Sequence, residues 1–123
     1  MSAQQMIEHL SAVTQIANGN WNVDVFVSDE KAKRRQPFLN TDNELQIGFK
    51  ASFVSEDPVP LKFGSISKAV DDLLYQISYF FEVFNTDSNR VIVHPFFGAL
   101  NFEQWKKFQI KHFTHHFKQF GLI

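Results

Sequence analysis

Three stretches of the chain carry apolar residues at helical spacing, each bracketed by residues that start or stop helices. In residues 2–18, Met6, Leu10, Val13 and Ala17 recur every three or four positions, which gathers them on one helix face. Ser2 can cap the start, and Gly19 tolerates the left-handed conformation that ends a helix. Residues 65–85 predict a second helix, capped by Ser65 or Ser67. Its broad apolar stripe runs through Ile66, Val70, Leu73, Leu74, Ile77, Phe80, Phe81 and Phe84, with Asp71, Asp72, Tyr75, Tyr79 and Glu82 off it. Residues 101–120 predict a third, opened by Asn101 with Gln104 three positions on, the spacing of a capping box, and closed by Gly121. Phe102, Trp105, Phe108, Phe113, Phe117 and Phe120 face inward there; Glu103, Lys107, Lys111 and Lys118 face out.

The connections are less regular. Between residues 20 and 64, Val23, Val25 and Val27 alternate like a short strand, and Leu45, Phe49 and Phe53 have helical spacing. Lys31, Lys33, Arg34 and Arg35 form a small basic cluster beside Asp29 and Glu30, which reads as solvated surface. Pro58 and Pro60 mark an extended linker. In residues 86–100, His94 precedes Pro95 and so favours extended geometry; a loop histidine bonded to backbone is the expected role.

Composition narrows the chemistry. At 123 residues the chain is a single domain, and its fifteen phenylalanines suit an interior or a subunit interface. A net charge of −1 gives no general pull toward nucleic acid or anionic membrane, so neither is an expected partner. With no cysteine, disulfides, thiolate catalysis and cysteine-ligated zinc are excluded. No apolar run spans a bilayer and the N-terminus lacks a signal-peptide pattern, so a cytoplasmic location is expected.

The remaining candidates are histidines. His112 and His116 stand one turn apart in the middle of the last apolar stripe, with His115 at its edge. That spacing lets two imidazoles reach one ion, although packed, hydrogen-bonded core histidines fit it as well. The glutamate of an HEXXH protease is absent, since Phe113 takes its place. His9, at the edge of the first helix's buried face, could complete a three-histidine site with open positions, the pattern of a catalytic ion.

The segments SAQQMIEHL (2–10), HPFFGALNFEQW (94–105) and KHFTHHFKQFG (111–121) resemble the DinB/YfiT-like superfamily. The similarity is to a subfamily of unknown function with HPxFGxL and HxxHHxxQFG-type motifs. The resemblance implies an all-α, DinB-like four-helix bundle whose metal is held by one histidine of the second helix and an HxxxH pair of the last. Carried over by motif, the ligands are His9, His112 and His116. Relatives of this kind have a helix before the segment matching residues 2–10. The expected fold is therefore a bundle with its N-terminal helix missing or supplied by a partner subunit, and a homodimer is expected.

The implied cofactor is a divalent metal, zinc or nickel, with a low-molecular-weight thiol as a candidate second component. The implied activity is that of a metal-dependent hydrolase or thiol-dependent S-transferase acting on a small-molecule substrate. The alternative is a non-catalytic binding or interaction module on the same scaffold. The sequence assigns no catalytic residue beyond the ligands.

Overall fold

The structure is a computed structural model that describes residues 1–25, 27–45 and 59–123. Among these residues it is mostly helical, with helices α1 (Ala3–Ala17), α2 (Asp29–Arg35), α3 (Ile66–Thr86) and α4 (Phe102–Gln119). A 3-10 turn at Gln36–Asn40 follows α2. Two short strands, β1 (Ile92–His94) and β2 (Gly98–Leu100), pair antiparallel between α3 and α4, so the fold is not purely α-helical.

The three long helices start and stop where their side chains can satisfy the free backbone groups. Ser2 accepts from the Gln5 N–H (3.1 Å) while the Gln5 side chain accepts from the Ser2 N–H (2.6 Å), a reciprocal cap on α1. Asn101 and Gln104 do the same for α4, at 3.0 and 2.9 Å. Ser65, not Ser67, caps α3 through the Lys68 N–H. Gly19, with φ of 78°, turns the chain out of α1.

Helix α1 packs against both α3 and α4. Val13, Ile16 and Ala17 of α1 meet Phe80, Val83 and Phe84 of α3 and Trp105 and Phe108 of α4 in one core. Met6, Leu10 and Leu73 form a second core nearer the start of α1, with Ile77, Phe113 and Phe117 packed against it. Trp105 is fully enclosed and donates its Nε1–H to the Ile92 carbonyl at 2.9 Å, which ties α4 to the hairpin.

The face that α3 buries is narrower than its apolar stripe and rotated from it. Ala69, Leu73, Gln76, Phe80, Val83 and Phe84 point inward, whereas Ile66, Leu74 and Phe81 of the expected stripe are exposed. A polar layer explains part of the rotation. Asn18 donates to the Gln76 side chain (3.0 Å), Gln76 donates to Asp72 (3.3 Å), and Ser11 donates to the same carboxylate. Asp72 therefore faces α1 rather than standing clear of it.

The basic cluster forms α2, with Asp29 and Glu30 in its first turn and Lys33, Arg34 and Arg35 in its last, the order the helix dipole favours. Arg34 pairs with Glu30 one turn back, both exposed. The expected strand does not form over the described residues 22–25, which carry no regular structure, although Val23 and Val27 pack on the core. Leu45 is buried, while Phe49, Phe53 and Pro58 lie outside the described residues. Segment 59–63 is fastened along α1: Glu8 accepts the N–H groups of Lys62 (2.6 Å) and Phe63 (3.3 Å), and Gln4 donates to the Phe63 carbonyl (2.8 Å).

Candidate metal centre

His9 belongs to α1, and His112 and His116 to α4. The packing of α1 on α4 brings all three together. His9 Nε2 lies 3.0 Å from His112 Nε2, and His116 Nε2 lies 3.2 Å from His112 Nε2. One ligand nitrogen from each ring falls within 4.8 Å of the others. Three nitrogens at the corners of a site with arms of about 2.0–2.1 Å stand roughly 2.8–3.4 Å apart, from adjacent octahedral to tetrahedral positions. The two closest separations fit that range.

The rings meet edge to face, with centroids 5.0 Å apart for His9 and His112, 4.9 Å for His9 and His116, and 4.8 Å for His112 and His116. The convergence lies in the short Nε2 to Nε2 distances; the edge-to-face arrangement lets the three rings pack around that point. His112 and His116 are nearly enclosed at 7% and 8% exposure; His9 is half-buried, the most exposed of the three.

Burial also sets the protonation state. It pushes His9 down to about 4, with His116 and His115 adding repulsion. His112 is held well below the ordinary value by burial first and by its histidine neighbours second. His116 is lowered by burial and by His115, against a partial rise from its hydrogen bond to Gln119. All three imidazoles are neutral at pH 7, the form that ligates metal. Both short contacts meet at His112 Nε2, which carries either one N–H or one in-plane lone pair and so cannot make a full hydrogen bond to both neighbours. His112 Nδ1 is buried with no hydrogen-bond partner among the described residues. A cation at the shared Nε2 face would neutralise three converging lone pairs, and this donor set suits a borderline divalent ion such as zinc or nickel.

His115 is on the same helix but outside this geometry, with its Nδ1 3.3 Å from the Leu45 carbonyl. His94 is also separate. Its Nδ1 accepts the N–H groups of Phe96 (3.0 Å) and Phe97 (3.3 Å), which folds the turn between β1 and β2. Burial holds His94 down at about 3. The expected bonding to backbone therefore holds, but His94 is the last residue of β1, paired with Gly98, rather than a loop residue. Sequence reasoning assigned no role to Gln119, the glutamine of the HxxHHxxQFG-type motif; its amide oxygen lies 3.0 Å from His116 Nδ1. Its spacing of three residues from a ligand was the available signal. The polar layer of Ser11, Asp72, Gln76 and Asn18 had no such signal, because its members are far apart in the chain.

A family model described as "Protein of unknown function (DUF1569)" matches residues 56–121, more than half of the chain. The match includes His112 and His116 and leaves His9 outside it. No curated protein and no solved structure matches the chain.

Proposed function

Because the chain belongs to the DUF1569 family, whose description stops at unknown function, its activity has to be read from the site, and we propose a metal-dependent enzyme. In this reading His9, His112 and His116 hold one divalent ion, zinc or nickel, on a DinB-like helical bundle. The convergence of three neutral imidazoles from two helices at 3.0 and 3.2 Å is the observation that carries it. When bound, the ion supplies Lewis-acid activation of a water for hydrolysis or of a small thiol for S-transfer.

The chain's own residues account for the rest. Three ligands leave coordination positions free, and the half-buried His9 edge is where a small-molecule substrate would reach them. Phe108, buried and stacked on His112 at 5.3 Å between centroids, gives the site an apolar inner wall. Among the described residues no carboxylate joins the three-histidine cluster; of these residues, His115, whose ring is 5.0 Å from that of His116, stands near enough to assist the activated nucleophile in proton transfer.

The test is metal analysis of the purified protein after loading with zinc or nickel. One ion per chain is expected, and its loss in His112→Ala. A metal-free wild type, or unchanged content in that variant, overturns the reading. The near-enclosure of His112 and His116 favours a second reading, a structural ion in a non-catalytic binding module. Cobalt substitution separates the two: the visible spectrum shifts on adding a small thiol if positions are open and stays fixed if the ion is closed off.

A further inference from the structure

The chain makes use of both nitrogens of His116. Nε2 faces His112 Nε2 at 3.2 Å, inside the cluster, and Nδ1 faces the amide oxygen of Gln119 at 3.0 Å. An amide oxygen only accepts, so Nδ1 carries the proton and donates it. The neutral ring then presents a lone pair at Nε2. The opposite tautomer would point an N–H into the cluster, offer no ligand atom, and set the Gln119 oxygen against a second lone pair.

Gln119 is in the last turn of α4, where the N–H of Leu122 donates to the Phe117 carbonyl (2.8 Å) and that of Gly121 to the Lys118 carbonyl (3.0 Å). These bonds fix the backbone that carries the amide. Gln119 is exposed and outside both hydrophobic cores, and its place three residues after His116 on the same helix face brings its amide to the ring. His112, by contrast, has no partner at Nδ1 among the described residues, and its tautomer can follow whatever its Nε2 meets.

We propose that Gln119 is a positioning residue for the metal centre, selecting the Nδ1–H tautomer of His116 so that its Nε2 lone pair faces the ion. The inference rests on the metal-site reading above. It also orders the metal-free cluster: His116 accepts at Nε2, and His112 donates its Nε2–H to it. When an ion enters, the His112 proton moves to Nδ1.

The experiment compares wild type, Gln119→Ala and Gln119→Glu by zinc affinity in competition with a chelator and by imidazole nitrogen shifts in the metal-free protein. Gln119→Ala is expected to bind zinc roughly 10- to 100-fold more weakly, the usual effect of removing a hydrogen-bond partner of a ligating histidine. Its His116 should lose the signature of a proton fixed at Nδ1. Gln119→Glu keeps an acceptor at the same place and should bind at least as tightly as wild type. Wild-type affinity and an unchanged His116 tautomer in Gln119→Ala overturn the proposal, as does a Gln119→Glu variant as weak as the alanine. Should the wild type bind no zinc, the metal reading fails, and the shifts still decide Gln119's part. A wild-type His116 protonated at Nε2 refutes it; one protonated at Nδ1 that loses this in Gln119→Ala upholds the selection of the tautomer.

Discussion

His9 Nε2 and His112 Nε2 are 3.0 Å apart although 103 positions separate them in the chain. The first belongs to α1 and the second to α4, so the cluster exists only when these helices are docked. Any ion it holds binds the folded chain far better than the unfolded one, and metal affinity becomes folding stability.

Zinc should therefore raise the melting temperature, and a chelator should lower it. At a free ion concentration near 100 times Kd the gain is about 2.7 kcal/mol, on the order of 10 °C for a domain of this size. His9→Ala removes the α1 ligand and should abolish most of that shift while α4 keeps its pair. Differential scanning fluorimetry with and without chelator checks this. An undiminished zinc shift in His9→Ala would mean that the ion sits elsewhere.

Zinc affinity should also vary little with pH near neutrality. Protons compete for a histidine site only below the pKa values of the folded rings, and here burial pushes His9 down to about 4 and His112 well below its ordinary value, with His116 lowered too. An exposed histidine cluster would lose affinity from about pH 6.5 downward. Titrations at pH 7.5 and 6.5 should agree to within about threefold. A drop of about tenfold or more over that interval would show that the rings protonate as exposed ones do.

Gly98 opens β2 with φ of 72°, and a Cβ placed on it would lie 3.1 Å from the Ala32 Cβ of α2. Gly98→Ala meets both a left-handed backbone and a neighbouring helix. A loss of about 1–3 kcal/mol is expected by chemical denaturation, with zinc stoichiometry unchanged because no ligand lies in the hairpin. Unchanged stability would mean that α2 can move away freely.

The long helices could be read from the sequence because their signals are local. Ser2, Ser65 and Asn101 cap within three residues of themselves, and the apolar spacing does the rest. Helix α2 escaped because it buries only Ala32 in seven residues, and its order of acids before bases is a weaker mark than periodicity. The inward face of α3 escaped for another reason. Eight apolar residues formed a stripe too wide to choose a centre, and the choice fell to Gln76 and Asp72 bonding across to α1. In the site, the HxxxH pair was legible as spacing. His9 needed the resemblance, since nothing local distinguishes it from an ordinary histidine at a helix edge. Gln119 stood in the HxxHHxxQFG-type motif, but its role needed the geometry, because neither motif nor spacing says which ring nitrogen its amide meets.

His94 separates stability from metal binding. It is 2% exposed, packed 4.3 Å between centroids from Phe108, and accepts two backbone N–H groups. His94→Leu keeps the bulk but strands both donors in the interior, so a loss of about 2–4 kcal/mol is expected at pH 7.5, with zinc content intact. The sign of the pH effect follows from burial. The folded pKa, about 3, lies below the unfolded 6.5, so the unfolded chain binds the proton first. The wild-type contribution is complete above pH 6.5 and is lost as pH falls toward the folded value. In metal-free protein, the stability advantage of wild type over His94→Leu should shrink by up to about 2 kcal/mol between pH 7.5 and 5, at roughly 1.4 kcal/mol per pH unit below 6.5. Urea denaturation of both proteins at the two pH values measures it. A constant difference would show that the folded chain takes up the His94 proton as readily as the unfolded one.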